Sequence, residues 1–538
     1  MNCKKCGAPL QEGDVFCGNC GFKTVVPAET VRVDTVPEKQ ALRPNSSAVQ
    51  IGRDKEKKAT FRYAGMMVCI VVAIVALIGF NFYRSSHRNP SSPPRTLSYP
   101  DSTSDTNHPN PSAFNADTPS PDESNGNPNS TTERVVNVVS PDFELSDGFI
   151  VPVMRQTTVP DGYIGIYTAE EFDKIRNNRT AKYILMGDID LSSLPSWEPS
   201  YLSGGILDGN GYTVSNATAP LFMYANQSMI LNLGVVSVFS ISRGLELAGI
   251  AEEAENSSID NCFFAGKMLV EGVYDSKDRA GGIVGTIRDG NVSNCYNLAN
   301  LSSKGYLGGI AGGIIGGGLY NCFNAGTLSS YGIIGGIAGV LNESVVIFGC
   351  YNSGTITNSS QVMEQKIGGI VGINSETGTK SIHNCFNVGN ISVSNVGQAA
   401  VSGILGSGYF TEITDCYNAG NISIKAFEGD FVYKSQRGYG ITLASGDIRS
   451  CYNIGEIDAD KDGKVGGISS ETSIEACYFI DKANDATPSG ALFAENDHVK
   501  KLTDTEMKQP SSFVGFDFDG IWTMGGYDYP YPVFLPQY

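Results

Sequence analysis

A phrase made of cysteine and then tyrosine or phenylalanine returns eight times between Asn261 and Phe479, and this recurrence constrains the fold more than any other feature. Successive cysteines are 26 to 35 residues apart, and in six of the eight phrases asparagine follows the aromatic residue. A glycine-rich phrase stands between them, as in GGIVG from Gly281. A recurrence of about 30 residues is typical of a stacked repeat protein. The cysteines are Cys262, Cys295, Cys322, Cys350, Cys385, Cys416, Cys451 and Cys477.

The residues inside one repeat are typical of strands and turns. Ile, Val, Leu, Tyr and Phe occur in runs of three to five, separated by Gly, Asn and Ser, and no 3.6-residue period is present. The sequence therefore predicts an all-β fold, a parallel β-helix or β-solenoid in which each repeat is one coil. Cysteine packs as a small hydrophobic residue, so we expect the eight cysteines to stack inside the coils. The recurring asparagine, followed by glycine, predicts a corner with left-handed backbone.

The spacing within the repeats varies mainly on one side of the coil. From each cysteine to the isoleucine of the next glycine phrase there are 15 to 25 residues, whereas from that isoleucine to the next cysteine there are 9 to 15. The extra residues include Glu271–Arg279 and Lys425–Arg437. Insertions of this kind form loops on one face of a repeat protein, often the binding face. This edge is the predicted ligand surface.

The glycine phrases and the Cys-Tyr/Phe-Asn phrases together resemble the GLUG motif of bacterial surface proteins. The resemblance covers roughly Ile164 to Tyr538. It implies a repeat fold displayed at a cell surface. GLUG repeats occur in proteins of differing activity, so the resemblance does not imply a particular ligand.

Residues 1–23 contain two Cys-x2-Cys pairs with ten residues between them: Cys3 and Cys6, then Cys17 and Cys20. Four thiolates in this pattern predict one tetrahedral, structural Zn²⁺ with no position open for water. So short a segment has almost no core without the metal. Two disulfides are the alternative, and they would need an oxidising compartment. The segment resembles the N-terminal zinc ribbons of bacterial membrane proteins.

A membrane anchor is predicted next. Residues 24–62 are polar and end in a basic cluster, which is typical of a cytosolic linker. Tyr63–Tyr83 is 21 residues without a charge, long enough as a helix to cross roughly 30 Å of hydrocarbon. The basic cluster and the thiolate zinc pattern favour a cytoplasmic N-terminus. The expected localisation is a single-pass cell-membrane protein with its C-terminal part outside.

The charge is distributed unevenly along the chain. The formal net charge is −18, yet residues 1–62 carry 11 Lys and Arg against 7 Asp and Glu. Residues 84–148 are rich in Pro, Ser, Asn, Asp and Thr, which predicts a disordered stalk. An acidic outer part disfavours nucleic acid as a partner, because nucleic-acid binding needs cations that neutralise phosphates.

Three further regions are predicted beyond the stalk. Residues 149–260 form an N-terminal cap and the first coils, 261–480 form the GLUG-type coils, and 481–538 form an aromatic closing cap. In the first region Thr168 and Glu171 fit a capping box, and Phe172 and Ile175 lie on one face of a short helix. We expect this helix to plug the first open coil, because an uncovered strand edge invites aggregation.

No convincing catalytic arrangement is present, and the sequence predicts no enzyme. For a polysaccharide-cleaving β-helix the candidate carboxylates are Asp188, Asp190 and Asp208, and the candidate bases or substrate clamps are Arg243, Arg279 and Arg288. Turn and strand-end roles are the alternative for the three aspartates. A metalloprotease is disfavoured because His87, His108, His383 and His498 are isolated and no HExxH occurs. His383 is expected at an exposed turn. No nucleotide-binding motif is convincing.

The repeat cysteines lie in a region expected outside the cell, so disulfides need consideration. In register, their Cα atoms would be about 4.8 Å apart, the spacing between strands. This lies within disulfide range, but side chains in register point the same way and not at each other. The sequence favours free, buried thiols.

Three functions are consistent with these features. The first is a non-enzymatic, membrane-anchored surface protein that binds a glycan or a matrix or cell-wall component. The second is a polysaccharide lyase or hydrolase. The third is a transmembrane sensor that signals through the zinc ribbon to a cytosolic partner. Extended repeat surfaces suit extended ligands, which favours the first.

Overall fold

The computed structural model describes most of the chain beyond the predicted stalk. The zinc-ribbon cysteines Cys3, Cys6, Cys17 and Cys20, the predicted anchor and Arg243 lie outside the described residues. Within the described part, no helix is long and apolar enough to cross a membrane. The described residues are 153–241, 246–270, 278–359, 365–426, 435–460, 463–469, 473–480, 498–526 and 530–535.

Parallel strands dominate the described residues and lie in three long sheets, named here A, B and C. Each repeat coil contributes in turn to sheet A, to sheet C and to sheet B, and the strands of the inner coils pair with their equivalents in the coils before and after. The predicted all-β, solenoid-like fold of parallel strands is therefore confirmed. The glycine phrases lie where sheet B leads into sheet A.

Sheet A contains the longest strands. Its strands are Tyr163–Ile166, Lys182–Leu185, Ser200–Ser203, Ile206–Asp208, Phe222–Asn226, Met229–Leu231, Ala251–Glu255, Ser258–Asp260, Val284–Ser293, Ala311–Tyr320, Ala338–Phe348, Val371–Asn374, Lys380–His383, Leu405–Ser407, Thr411–Thr414, Gly446–Arg449 and Ile474–Glu475.

Sheets B and C are built from shorter strands. Sheet B contains Glu246–Ala248, Arg279–Gly281, Tyr306–Gly308, Ile334–Gly335, Gln365–Gly368, Gln398–Ser402, Ser435–Tyr439 and Lys464–Gly466. Sheet C contains Ile189–Asp190, Thr213–Ser215, Gly234–Ile241, Phe263–Val270, Tyr296–Asn297, Asn300–Ser303, Phe323–Asn324, Leu328–Ser330, Tyr351–Asn352, Ile356–Asn358, Phe386–Asn387, Ile391–Val396, Tyr417–Asn418, Ile422–Ala426, Tyr452–Asn453, Ile457–Ala459, Cys477–Ile480 and Val499–Leu502.

Short helices occur near both ends of the described region. Helix α1 spans Ala169–Asp173, and Thr168 Oγ1 caps it by accepting from the Glu171 amide at 3.3 Å. Phe172 is buried, as predicted. The 3-10 helices are Lys174–Asn177, Leu191–Ser193, Glu506–Lys508 and Pro510–Ser512, and an antiparallel pair joins Trp522–Met524 to Pro532–Phe534.

The eight repeat cysteines form a column inside the coils, which we call the cysteine column. All eight are fully buried and free. Seven of the eight thiols donate to a carbonyl two residues earlier, for example from Cys385 Sγ to the His383 oxygen at 3.1 Å. The Cys295 thiol donates to the Ile259 carbonyl at 3.6 Å. The prediction of free, buried thiols is confirmed.

The left-handed corner lies one residue before each cysteine. Asn294 and Asn321 have φ of 52°, and Asp415 has φ of 51°. The prediction that the asparagine after the aromatic residue occupies this corner is wrong, because Asn297 and Asn324 belong to sheet C strands. Asparagine adopts the left-handed backbone conformation more readily than most residues. In these repeats the position that requires this conformation is the residue before the cysteine, not the asparagine after the aromatic residue.

The asparagines that follow the aromatic residues instead form a buried hydrogen-bonded ladder, the asparagine ladder. The Nδ2 of every member except the last, Asn453, donates to the Oδ1 of the equivalent asparagine one coil further on, at 2.7–2.8 Å. It also donates to the carbonyl two residues further along its own coil, as Asn324 does to Gly326 at 2.9 Å. The ladder thus satisfies polar groups inside the tight turns of six successive coils. Its members are Asn297, Asn324, Asn352, Asn387, Asn418 and Asn453.

The aromatic residues of the phrases stack on one another on the flank of sheet C. Consecutive ring centroids are 4.8–5.1 Å apart with interplanar angles of 1–10°. This spacing is the strand spacing itself. The stack runs through Phe263, Tyr296, Phe323, Tyr351, Phe386, Tyr417 and Tyr452.

The C-terminal segment packs on the later rings of this stack. Val499–Leu502 adds a parallel strand after the last cysteine. Trp522 is fully buried among Tyr417, Tyr452 and Phe534, with its ring centroid 4.6 Å from that of Phe534. The aromatic residues of the tail therefore cover the flank of the coils. Whether the segment also closes their open end stays a prediction.

The glycine phrases are explained by the tight return from sheet B to sheet A. A Cβ atom at Gly308 would lie 1.9 Å from the carbonyl oxygen of Ala311, and one at Gly335 would lie 1.8 Å from that of Ala338. No larger residue fits at these positions without moving the backbone. The isoleucine of the phrase, such as Ile310, points into the core and is fully buried.

Candidate functional site

The predicted loop edge corresponds to one corner of the solenoid. Residues 242–245, 271–277, 360–364, 427–434 and 461–462 each fall between a sheet C strand and the following sheet B strand. The flanking sheet B strands pair with one another in register. The described strand ends that flank these segments therefore lie along a single line, which we call the loop edge. The segments themselves lie outside the described residues.

A group of charged side chains lies in the corner between sheets B and A, towards the N-terminal end of the repeats. The charged cluster consists of Glu246 and Arg279 on sheet B and Glu253 and Arg288 on sheet A. Arg279 Nη1 is 3.3 Å from Glu246 Oε1, and Arg288 Nε is 2.5 Å from Glu253 Oε1. Arg288 Nη2 also lies 3.8 Å from Glu246 Oε1. One guanidinium group thus contacts both carboxylates.

Glycine on the facing strand makes room for Arg279. A Cβ atom at Gly313 would lie 2.5 Å from Arg279 Cδ, so the arginine side chain crosses sheet A where that sheet has no side chain. The Arg279 Nε atom is buried and has no hydrogen-bond partner among the described residues. The corner is therefore a narrow cleft, and its charges are only partly exposed, between 18% and 36% for the four side chains.

The chemistry of the cluster centres on Glu246. Burial, and after it the neighbouring Glu253 carboxyl group, raise the pKa of Glu246 above its ordinary value. A carboxyl group with a raised pKa can hold a proton nearer neutral pH and donate it. Two guanidinium groups beside it can bind a carboxylate or another anion.

The sequence candidates are brought together only in part. Arg279 and Arg288 meet in the cluster, whereas Glu246 and Glu253 were missed. Their partners lie 33 and 35 residues away in sequence, and pairing appears only when the coils are placed in register. The recurrence of about 30 residues in the sequence was the signal that could have suggested this pairing of glutamates with arginines one coil away.

The three aspartates have local structural roles. Asp188 Oδ1 accepts from the Thr213 amide at 2.8 Å. Asp190 caps a 3-10 helix through the Ser192 amide, and its hydrogen bonds to Asn216 and Ser192 lower its pKa. Asp208 Oδ1 accepts from the Asn210 amide at 2.8 Å within a turn. The contacts of the three aspartates support the alternative interpretation, in which these residues have turn and strand-end roles.

His383 does not lie at an exposed turn, and that prediction is wrong. It ends the sheet A strand Lys380–His383, is half-buried, and its Nδ1 bonds Thr414 Oγ1. The turn follows at Asn384, one residue later. In the described part of the chain, His, Cys, Asp and Glu form no group of three or more that could hold a metal ion.

Comparison with known proteins gives structural neighbours only. No family model matches the chain, and no curated protein matches it. A candidate immunoglobulin A1 protease from Bacteroides ovatus has 17% identity and a TM-score of 0.34, covering 70% of this chain and 92% of its own. An IgA1 protease has 14% identity and a TM-score of 0.33, and the alignment covers 54% of this chain and 23% of that one.

Proposed function

We propose that the chain is a membrane-anchored surface protein that holds a β-solenoid away from the cell and binds an external ligand without chemical change. In this proposal Tyr63–Tyr83 is the anchor, residues 84–148 are the stalk, and the N-terminus lies in the cytoplasm. The ligand is a glycan or a matrix or cell-wall component. GLUG-type repeats supply the coils.

The loop edge is the observation that supports binding. Five segments of variable length connect a sheet C strand to the following sheet B strand, and the flanking strands keep one register from coil to coil. A rigid scaffold that carries variable loops along one line suits recognition of an extended molecule.

A binding screen on residues 142–538 tests this proposal. Glycan and matrix-protein arrays are probed with the wild-type fragment and with a variant in which 427–434 is replaced by a short Gly-Ser turn. We expect the variant to keep its circular dichroism spectrum and lose the binding seen for the wild type. Phe410→Ser is the matched control, since Phe410 is 73% exposed at a turn of sheet A. Equal binding by both fragments contradicts the proposal.

The zinc site is tested separately. In the proposal Cys3, Cys6, Cys17 and Cys20 hold one structural Zn²⁺. A peptide of residues 1–30 should bind one equivalent of zinc and fold with it, and Cys17→Ser should abolish both. A peptide that keeps its structure in a chelator contradicts the assignment.

A second candidate function is cleavage of an acidic polysaccharide, favoured by the raised pKa of Glu246 beside two arginines. Such a carboxyl group could act as a general acid while Arg279 and Arg288 hold substrate carboxylates. Turnover of any acidic polymer by residues 142–538, lost in Glu246→Gln, would place this function first.

A further inference from the structure

Part of the outward surface of sheet C is uncharged over five successive coils. Each of these coils contributes one tripeptide in which Asn or Thr, then a buried Leu or Ile, then Ser or Thr follow one another. The tripeptides pair in register from coil to coil, so their outward residues form two columns of amide and hydroxyl groups. We call this surface the neutral face. Its tripeptides begin at Asn300, Thr327, Thr355, Asn390 and Asn421.

The first column of the neutral face is bounded by a positive charge at one end and a negative charge at the other. Lys267 pairs in register with Asn300, and Glu456 follows Asn421 in the same column. Both charged residues are exposed, and within the described part of the chain neither has an ion-pair partner. Each lies three coils from Thr355, so the two charges are placed symmetrically about that residue.

The columns are straight and their amide groups are fixed. Neighbouring rings of the aromatic stack, which belong to the same coils, are inclined by only 1–10° to one another, so successive coils are superposed with little rotation. Asn390 Oδ1 accepts from the Asn421 backbone N–H at 3.0 Å, and Asn421 Oδ1 accepts from the Glu456 backbone N–H at 2.9 Å. The Nδ2 groups of these two asparagines have no acceptor among the described residues, so they remain available as donors.

The neutral face has the properties that contact with a second copy of the same solenoid requires. Groups that repeat at the strand spacing of about 4.8 Å stay in register over five coils only against a partner with the same spacing, and another copy has that spacing. The chain carries a formal net charge of −18, so two copies repel one another except where the surfaces in contact are neutral. The charges at the two ends of the column then decide how the copies are oriented.

We infer that two copies associate through their neutral faces around a two-fold axis that passes beside Thr355, parallel to the strands. The columns then run antiparallel, and each Lys267 faces Glu456 of the other copy. Asn300 faces Asn421 of the other copy, where amide donors meet side-chain oxygens. A parallel arrangement would instead set Lys267 against Lys267, and like charges in contact are unfavourable. The partner is the same chain, so this association goes beyond binding of an external ligand.

Sedimentation velocity of the full-length chain in detergent, over a range of protein concentrations, tests this association. The face is small for a specific interface, so we expect a reversible dimer that appears as the concentration is raised. Lys267→Glu replaces two attractions per dimer by two repulsions and should weaken dimerisation about tenfold. Lys267→Glu combined with Glu456→Lys restores both attractions and should return the dissociation constant to within about twofold of the wild-type value.

Lys464→Glu is the matched control, because it makes the same charge change at an exposed position of sheet B. It should leave dimerisation unchanged, and all the variants should keep the wild-type circular dichroism spectrum. A wild type that stays monomeric at every concentration would overturn the inference, including one whose neutral face binds a neutral polysaccharide instead. Equal dimerisation by Lys267→Glu and wild type, or no recovery in the double variant, would overturn it as well.

Discussion

Asn352 lies in the middle of the asparagine ladder and shows how single residues hold the coils together. Its Oδ1 accepts from Asn324 at 2.7 Å, and its Nδ2 donates to Asn387 at 2.8 Å and to the Gly354 carbonyl at 2.9 Å. Because the residue is fully buried, water cannot replace these bonds.

We therefore expect Asn352→Ala to lower the free energy of unfolding by about 2–4 kcal/mol, since it leaves buried polar groups of two neighbouring coils unsatisfied. Urea unfolding measures the change. Asn177→Ala, at an exposed position, is the control and should change stability little. Equal effects of the two substitutions would contradict a structural role for the ladder.

The titration of a second single residue, Glu246, is expected to make the stability of the fold depend on pH. Its folded-state pKa is raised, chiefly by burial, so the folded state binds its proton more tightly than the unfolded state does. The stability that this protonation contributes is present below the unfolded pKa of about 4.5 and is lost as pH rises through the folded pKa. Glu246→Gln removes that loss.

The difference in unfolding midpoint between Glu246→Gln and wild type should therefore grow in favour of the variant as pH rises above about 4.5. Midpoints between pH 4 and 8 measure it, with Glu456→Gln as an exposed control. A pH-independent difference would mean that Glu246 is not shifted as described.

At the scale of elements, the C-terminal segment is held mainly by Trp522. This side chain is fully buried, and its indole N–H donates to Asp415 Oδ1 at 3.1 Å. Trp522→Ala should cost about 3–5 kcal/mol of local stability and release residues 503–535 while the cysteine column stays folded. Repeat architectures open in parts because each coil contacts mainly its neighbours.

Hydrogen exchange resolved by segment checks this prediction. Amides of 503–535 should exchange faster in Trp522→Ala, and those of the coils from Cys262 to Cys350 should not. Val514→Ala, in the same segment but 70% exposed, should leave both unchanged. Simultaneous loss of protection in all coils would show that the segment is not a separate unit.

Elements also show what sequence could predict. The recurrence of Cys262 and its equivalents predicted strands, coils and an inward column, because periodic apolar residues report which side faces the core. It did not reveal that Asn297 faces inward and Asn294 takes the left-handed turn, because both positions suit asparagine. The acidic half of the charged cluster was missed, since Glu246 and Arg279 meet only after folding.

At the scale of the whole molecule, burial of the repeat cysteines predicts how their thiols respond to a chemical reagent. Every repeat cysteine is fully buried, so none of the eight thiols is open to a reagent in the folded coils. The fragment 142–538 contains only these eight cysteines. A thiol reagent should modify none in the native fragment and all eight in denaturant. Rapid modification before unfolding would contradict a packed interior.

The central claim is that successive repeats stack in register as rungs of one solenoid. Lys267 and Glu456 are exposed and lie in one column of sheet C, six rungs apart through the pairings of their strands. At about 4.8 Å per rung their backbones should be about 29 Å apart.

Pulsed electron spin resonance on fragment 142–538 with spin labels at Lys267→Cys and Glu456→Cys measures this distance directly, since the native thiols stay unlabelled. The account predicts one narrow distribution near 29 Å, broadened only by the label linkers. A broad distribution, or a peak displaced by several rungs, would contradict the stacked arrangement.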